Sequence, residues 1–125
     1  MKIDHLALWT NQLEALKEFY VQHFGCRAGP KYTNPSTDFS SYFLTFTSGA
    51  RLEIMTKPEL ATAEGSRTGY AHFALSVGSE EAVRSWTEKL RSNGVKVTSE
   101  PRRTGDGYYE SVVTDPDGNA IELTV

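Results

Sequence analysis

Positions 69 apart along this chain of 125 residues repeat the same residue types in the same local settings. Gly25 in Phe24-Gly25-Cys26 matches Gly94 in Asn93-Gly94-Val95, Gly49 matches Gly118, and Glu53 matches Glu122. His5 and His72 open corresponding apolar stretches at an offset of 67, which predicts a two-residue gain around Gly78-Ser79-Glu80. A period that holds through a helix end, a hairpin and a last strand means two copies of one supersecondary unit. The length suits a single domain with a sizeable core. It divides into module one at 1–55, module two at 70–125, and a linker at 56–69 whose Pro58, Gly65 and Gly69 make it a candidate lid.

Each copy reads as strand, helix, then three strands. Residues 3–9 form the first strand by apolar content and bounded length. Asn11 is the expected N-cap of a helix carrying Leu13, Leu16, Phe19, Tyr20 and Phe24 on one face, with Gly25 as its stop. The second helix starts near Ser79, places Glu80 and Glu81 in its first turn, and lines its apolar side with Val83, Trp86, Thr87 and Leu90. Short strands follow near 27–32 and 95–99. The hairpins then run from Tyr42–Phe46 through Ser48-Gly49 into 50–55, and from Tyr108–Thr114 through Asp115-Pro116-Asp117-Gly118 into 119–125.

Strand side chains alternate faces, so residues two apart share one. His5 then lies with Ala7 and Trp9, His72 with Ala74 and Ser76, Glu53 with Arg51 and Met55, and Glu122 with Ala120 and Thr124. In all four strands the greasier residues take the opposite face. Taken singly, a strand histidine is usually a hydrogen-bonded structural residue and a strand glutamate usually meets water. Four of them at repeat-equivalent positions on matching faces point to His5, Glu53, His72 and Glu122 converging on one divalent cation, because isolated charges are costly to desolvate. His23 has no such setting and reads as a surface residue. Trp9, Met55 and the tyrosines are possible pocket walls.

Composition excludes several classes. A net charge of −3, with only Arg102-Arg103 as adjacent cations, offers no footprint for nucleic acid or an anionic membrane. No stretch approaches the ~20 apolar residues that span a bilayer, and no signal-type run opens the chain. The single cysteine, Cys26, makes an internal disulfide impossible and fits a reducing, cytoplasmic compartment.

The chain resembles the vicinal oxygen chelate superfamily of glyoxalases, bleomycin-resistance proteins and dioxygenases. The resemblance is carried by Asp4-His5-Leu6-Ala7-Leu8, Phe19-Tyr20 with Phe24-Gly25, Ala71-His72-Phe73-Ala74-Leu75-Ser76-Val77 and Asp115-Pro116-Asp117-Gly118-Asn119-Ala120-Ile121-Glu122-Leu123. It implies an α+β fold of two tandem βαβββ modules forming an incomplete barrel around a metal, and a homodimer with sites at or near the interface. The full quartet is similar to that of glyoxalase I, with one divalent ion per site. Nitrogen and oxygen ligands suit Ni, Zn, Co, Mn or Fe alike.

The resemblance implies lyase chemistry in which a thiol adduct of a 2-oxoaldehyde passes through a metal-bound enediolate to a 2-hydroxy thioester. Glu122 resembles the general base, and Glu53 is able to serve the opposite face. Trp9 stands where glutathione-using relatives carry an arginine, and Thr56-Lys57-Pro58 where they carry an asparagine. Trp9, Arg51, Met55 and Arg103 are therefore the expected substrate contacts, with Lys57, Arg67 and Arg102 as further cations. The alternatives are a small-molecule-binding resistance protein of the same fold, an epimerase, or an extradiol dioxygenase-type enzyme.

Overall fold

Each half of the repeat folds into its own sheet with one helix laid on it. In a computed structural model the described residues are 1–62 and 68–125, so the middle of the expected lid, Arg67 included, lies outside them. The chain divides into two compact units, Met1–Glu64 and Gly65–Val125.

In unit one, β1 (His5–Trp9) leads to α1 (Leu13–Phe24) and then to β2 (Arg27–Ala28), β3 (Tyr32–Asn34), β4 (Phe39–Thr45) and β5 (Arg51–Thr56). The sheet runs β1-β5-β4-β2, with β3 also on β4. β1 and β5 are parallel neighbours, in register His5↔Arg51, Ala7↔Glu53 and Trp9↔Met55. The strand expected over 27–32 is two pieces. Pro30 between them has no N–H to offer a ladder, and Gly29 N–H instead donates to Phe43 O at 2.9 Å.

Unit two repeats the plan with β6 (His72–Ser76), α2 (Glu80–Ser92), β7 (Val97–Arg103), β8 (Tyr109–Thr114) and β9 (Ala120–Thr124), in the order β6-β9-β8-β7. β6 and β9 are parallel, in register His72↔Ala120 and Ala74↔Glu122. β7 runs past the expected end at 99 and through Pro101. It lies on the sheet edge, where a missing N–H is tolerated, and its register slips between Ser99 and Arg102.

The helices bury the face the alternation assigns to them. Leu13, Leu16 and Tyr20 of α1 are buried, as are Leu44, Leu52 and Ile54 of the strands beneath. Val83, Thr87 and Leu90 of α2 are buried, with Val113, Ile121 and Leu123 below. Full burial of an aliphatic side chain of this size stabilises by about 1.5–3 kcal/mol. Thr87 is accommodated among them because its hydroxyl donates to Val83 O at 2.6 Å and pairs with Ser111 Oγ at 2.7 Å.

Two local expectations are corrected. Asn11 is not the N-cap of α1. That position is Gln12, with no side-chain cap; Asn11 Nδ2 donates to Leu60 O, and Thr10 Oγ1 accepts the Gln12 N–H. The two extra residues of the second copy also do not lie at the start of α2. Leu16 and Tyr20 correspond to Val83 and Thr87 at the offset of 67, and the offset reaches 69 only at Gly25 and Gly94. α1 closes directly on Gly25 in the left-handed conformation, whereas α2 is longer and passes through Asn93 before Gly94. At the other end of α2, Ser79 Oγ caps by accepting the Ala82 N–H at 3.1 Å.

The turn before β9 is fixed by Asp115, which is 4% exposed. Its carboxylate accepts the backbone N–H groups of Asp117 and Asn119 and the Asn119 side-chain amide, at 2.9–3.0 Å. Asp115→Ala leaves these donors unmatched. It is expected to destabilise the protein by about 3 kcal/mol, read as a fall in the midpoint of chemical unfolding.

Candidate metal centre

The register of β1 with β5 places His5 and Glu53 diagonally on one face. The register of β6 with β9 does the same for His72 and Glu122. His5 Nε2 lies 3.9 Å from Glu53 Oε2, and His72 Nε2 lies 3.4 Å from Glu122 Oε2. The histidines are about half exposed, while the glutamates are 16% and 14% exposed. Each unit thus presents one imidazole nitrogen and one carboxylate oxygen on the sheet face away from its helix. Among the described residues no three such side chains gather into a single metal-holding group, and each unit carries a pair.

The donor chemistry suits a borderline divalent cation, since imidazole and carboxylate serve the later first-row metals. Thiolate plays no part. Cys26 is buried, and that burial pushes its thiol up to about 11, well above the usual value.

Burial raises the carboxyl of Glu122 above its ordinary range; the nearby charge of Glu110 adds to this and His72 opposes it. Glu110 was not foreseen. It sits two residues before Val112, the cross-strand neighbour of Glu122, and so shares its face. It is 13% exposed and ion-paired to Arg102 at 3.3 Å. The period-2 pattern of β8 carried that signal. The repeat hid it, because the equivalent position in unit one is Ser41.

Asp4 and Phe43 were also missed as neighbours of the first pair. Asp4 Oδ2 lies 3.0 Å from His5 Nδ1 and 2.5 Å from an Arg51 nitrogen. Phe43, opposite Glu53 across β4 and β5, meets the His5 ring edge-on at 5.4 Å and carries the Arg51 guanidinium over its face at 4.3 Å.

The expected substrate contacts separate. Trp9 and Met55 are in-register neighbours on the Glu53 face. Trp9 is 46% exposed, meets Phe39 edge-on at 6.2 Å and carries the Lys57 ammonium at 4.7 Å from its ring. Arg51 is on the same face but engaged by Asp4 and Phe43. Arg103 pairs with Glu80 of α2, donates to Gly107 O and lies near the Tyr109 ring, on the helix side of β7. Arg102 is the cation on the Glu122 side, through Glu110.

A family model described as the Glyoxalase/Bleomycin resistance protein/Dioxygenase superfamily matches residues 2–123. The uncharacterized protein YqjT of Bacillus subtilis (strain 168) is 28% identical over 127 residues, covering 97% of this chain and 96% of its own. Among solved structures, a glyoxalase family protein from Enterococcus faecalis superposes with a TM-score of 0.82 at 24% identity, covering 99% of this chain and 97% of that one. Glyoxalase I from Zea mays gives 0.82 at 24% identity over 98% of this chain, which spans 44% of the maize chain. The trypanothione-dependent glyoxalase I of Leishmania major gives 0.79 at 22% identity, with 99% and 86% covered. At these identities the structural likenesses establish the fold. Among the described residues, two helices on two mixed sheets make the tandem βαβββ α+β arrangement. No helix among the described residues is long and apolar enough to cross a membrane.

Proposed function

Because the chain belongs to the Glyoxalase/Bleomycin resistance protein/Dioxygenase superfamily, we propose that it is a divalent-metal-dependent lyase of glyoxalase I type, acting on a thiol adduct of a 2-oxoaldehyde to give a 2-hydroxy thioester. The observation that carries this reading is the pair of matched contacts, His5 Nε2 with Glu53 and His72 Nε2 with Glu122, at equivalent places in two copies of one unit. His5, Glu53, His72 and Glu122 are the residues that would hold one divalent ion. A two-His-one-carboxylate iron site has no need of Glu53, and neither has a metal-free binding protein.

When bound, a divalent ion there would supply Lewis-acid stabilisation of the negative charge that develops on the adduct's oxygens. The chain's own groups move the proton. Glu122 takes it from the carbinol carbon and returns it to the adjacent one. Burial and Glu110 raise its proton affinity, bringing a carboxylate closer to the ideal for a general base at neutral pH. Glu53, the repeat-equivalent carboxylate of unit one, is the second candidate for the same task. Trp9 and Met55 wall the substrate, and Lys57 against Trp9 provides a cation for an anionic thiol. The working form is a cytoplasmic homodimer in which units of two chains complete each site.

The test is metal retention followed by turnover. Protein loaded separately with Ni²⁺, Co²⁺, Zn²⁺, Mn²⁺ and Fe²⁺ and then desalted is expected to keep about one ion per site. It should convert methylglyoxal adducts of glutathione or another small thiol, followed by thioester absorbance. No retained ion under any loading sinks the lyase reading. A second reading, a binding protein without turnover, draws on the half-exposed aromatic group of Trp9, Phe39 and Tyr32. Tight binding of an aromatic drug that survives chelation would favour it.

A further inference from the structure

We propose that Asp4 and Arg51 are a positioning pair that holds His5 in the Nδ1–H tautomer and presents its Nε2 as the ligand atom, an arrangement without a counterpart among the described residues of the second unit. The proposal rests on the reading of His5 as a metal ligand. A neutral imidazole donates from one nitrogen and accepts at the other, so the partner of one nitrogen decides what the other can do. In unit one the Nδ1 partner is a carboxylate oxygen, Asp4 Oδ2 at 3.0 Å, while Nε2 faces Glu53.

Asp4 is 64% exposed, and a lone surface carboxylate would not hold one geometry. Arg51 supplies the constraint. Its guanidinium lies 2.5 Å from the same Oδ2, its backbone N–H donates to Asp4 O at 3.0 Å, and Phe43 supports it from below at 4.3 Å. Phe43 also meets the His5 ring at an interplanar angle of 87°. The imidazole is thus held at Nδ1 by a braced carboxylate and along its edge by an aromatic ring.

The repeat provides an internal control. The positions equivalent to Asp4, Arg51 and Phe43 are Ala71, Ala120 and Val112, none of which offers an acceptor, a brace or a ring. Both histidines present Nε2 to a glutamate, and among the described residues His5 is the one with a carboxylate behind it. A carboxylate behind a metal-ligating imidazole raises its basicity and fixes its orientation, and losing such a partner typically lowers metal affinity about 10–100-fold. His5 is accordingly the preset ligand, whereas the ring of His72 has Glu122 alone, at 3.4 Å, as its partner among the described residues.

Tautomers are read without metal by long-range ¹H–¹⁵N NMR of the full chain, under conditions where the ¹⁵N shifts themselves report neutral rings. Wild type is expected to show His5 as Nδ1–H and His72 mainly as Nε2–H. Asp4→Ala should move His5 to Nε2–H, leave His72 unchanged and weaken Zn²⁺ binding about 10–100-fold in chelator competition. Arg51→Gln should produce a smaller shift in the same direction. Nε2–H at His5 in wild type, or a His5 tautomer indifferent to Asp4→Ala, overturns the proposal. If wild type holds no metal but the tautomer responds as described, the lyase reading fails while the positioning role stands.

Discussion

Replacing Glu122 by Gln will lower turnover about a thousandfold, within the 10²–10⁴ range for a general base, while making the metal-free protein more stable at neutral pH. The two effects have one origin. Glu122 is 14% exposed, and burial, with Glu110 behind it, lifts its carboxyl above the ordinary value. A group whose folded-state affinity for a proton exceeds its unfolded-state affinity stabilises the fold while protonated. That contribution is complete below the ordinary glutamate value of 4.5 and is lost as pH rises through the folded value. Once ionised, Glu122 therefore opposes folding of the metal-free chain, and Gln, of the same shape without the charge, removes the opposition. Thermal unfolding in chelator should place Glu122→Gln above wild type at pH 7, with the gap closing as pH falls through the folded value and gone well below 4.5. In the presence of metal the order should reverse, because the ion stabilises only the protein that binds it. Near-normal turnover by the variant would remove Glu122 as the required base, and an unchanged metal-free melting temperature would show that its charge costs the fold nothing.

The architecture was legible because two simple signals agreed. Alternation put Leu52 and Ile54 on one face and Glu53 on the other, and the repeat put Ile121, Leu123 and Glu122 in the same relation; burial follows that division in both units. What escaped was whatever the repeat does not share. Asp4 and Phe43 beside His5, and Glu110 beside Glu122, have Ala71, Val112 and Ser41 as counterparts, so an argument from symmetry passes over them. Arg102 and Arg103 are adjacent and chemically alike. Only the register slip in β7 and the pairing of Arg103 with Glu80 separate the one near Glu122 from the one near α2. The N-cap was misplaced because Asn11 has the right chemistry one residue too early, its amide being taken by Leu60 O. Pattern identifies faces, but it does not choose among polar partners within reach of one another.

Mixing His5→Gln with His72→Gln homodimers, each inactive alone, is expected to restore roughly a quarter of the wild-type sites. The expectation comes from what one unit can and cannot do. Each unit offers one imidazole nitrogen and one carboxylate, two donors on a half-open face, and a tightly held ion requires the second pair. Where that pair comes from is the question the mixture decides. If unit one of one chain meets unit two of its partner, a mixed dimer has one site carrying both substitutions and one carrying neither. Random re-pairing makes about half the dimers mixed, and half the sites in those are intact. If both units of a site belong to the same chain, every site in every mixed dimer keeps one defect, and no activity returns. Subunit exchange is verified independently by native mass spectrometry of differently labelled chains. With exchange demonstrated, recovered turnover and retained metal near a quarter of wild type support the two-chain site, whereas none assigns each site to a single chain and removes dimerisation from the catalytic requirement.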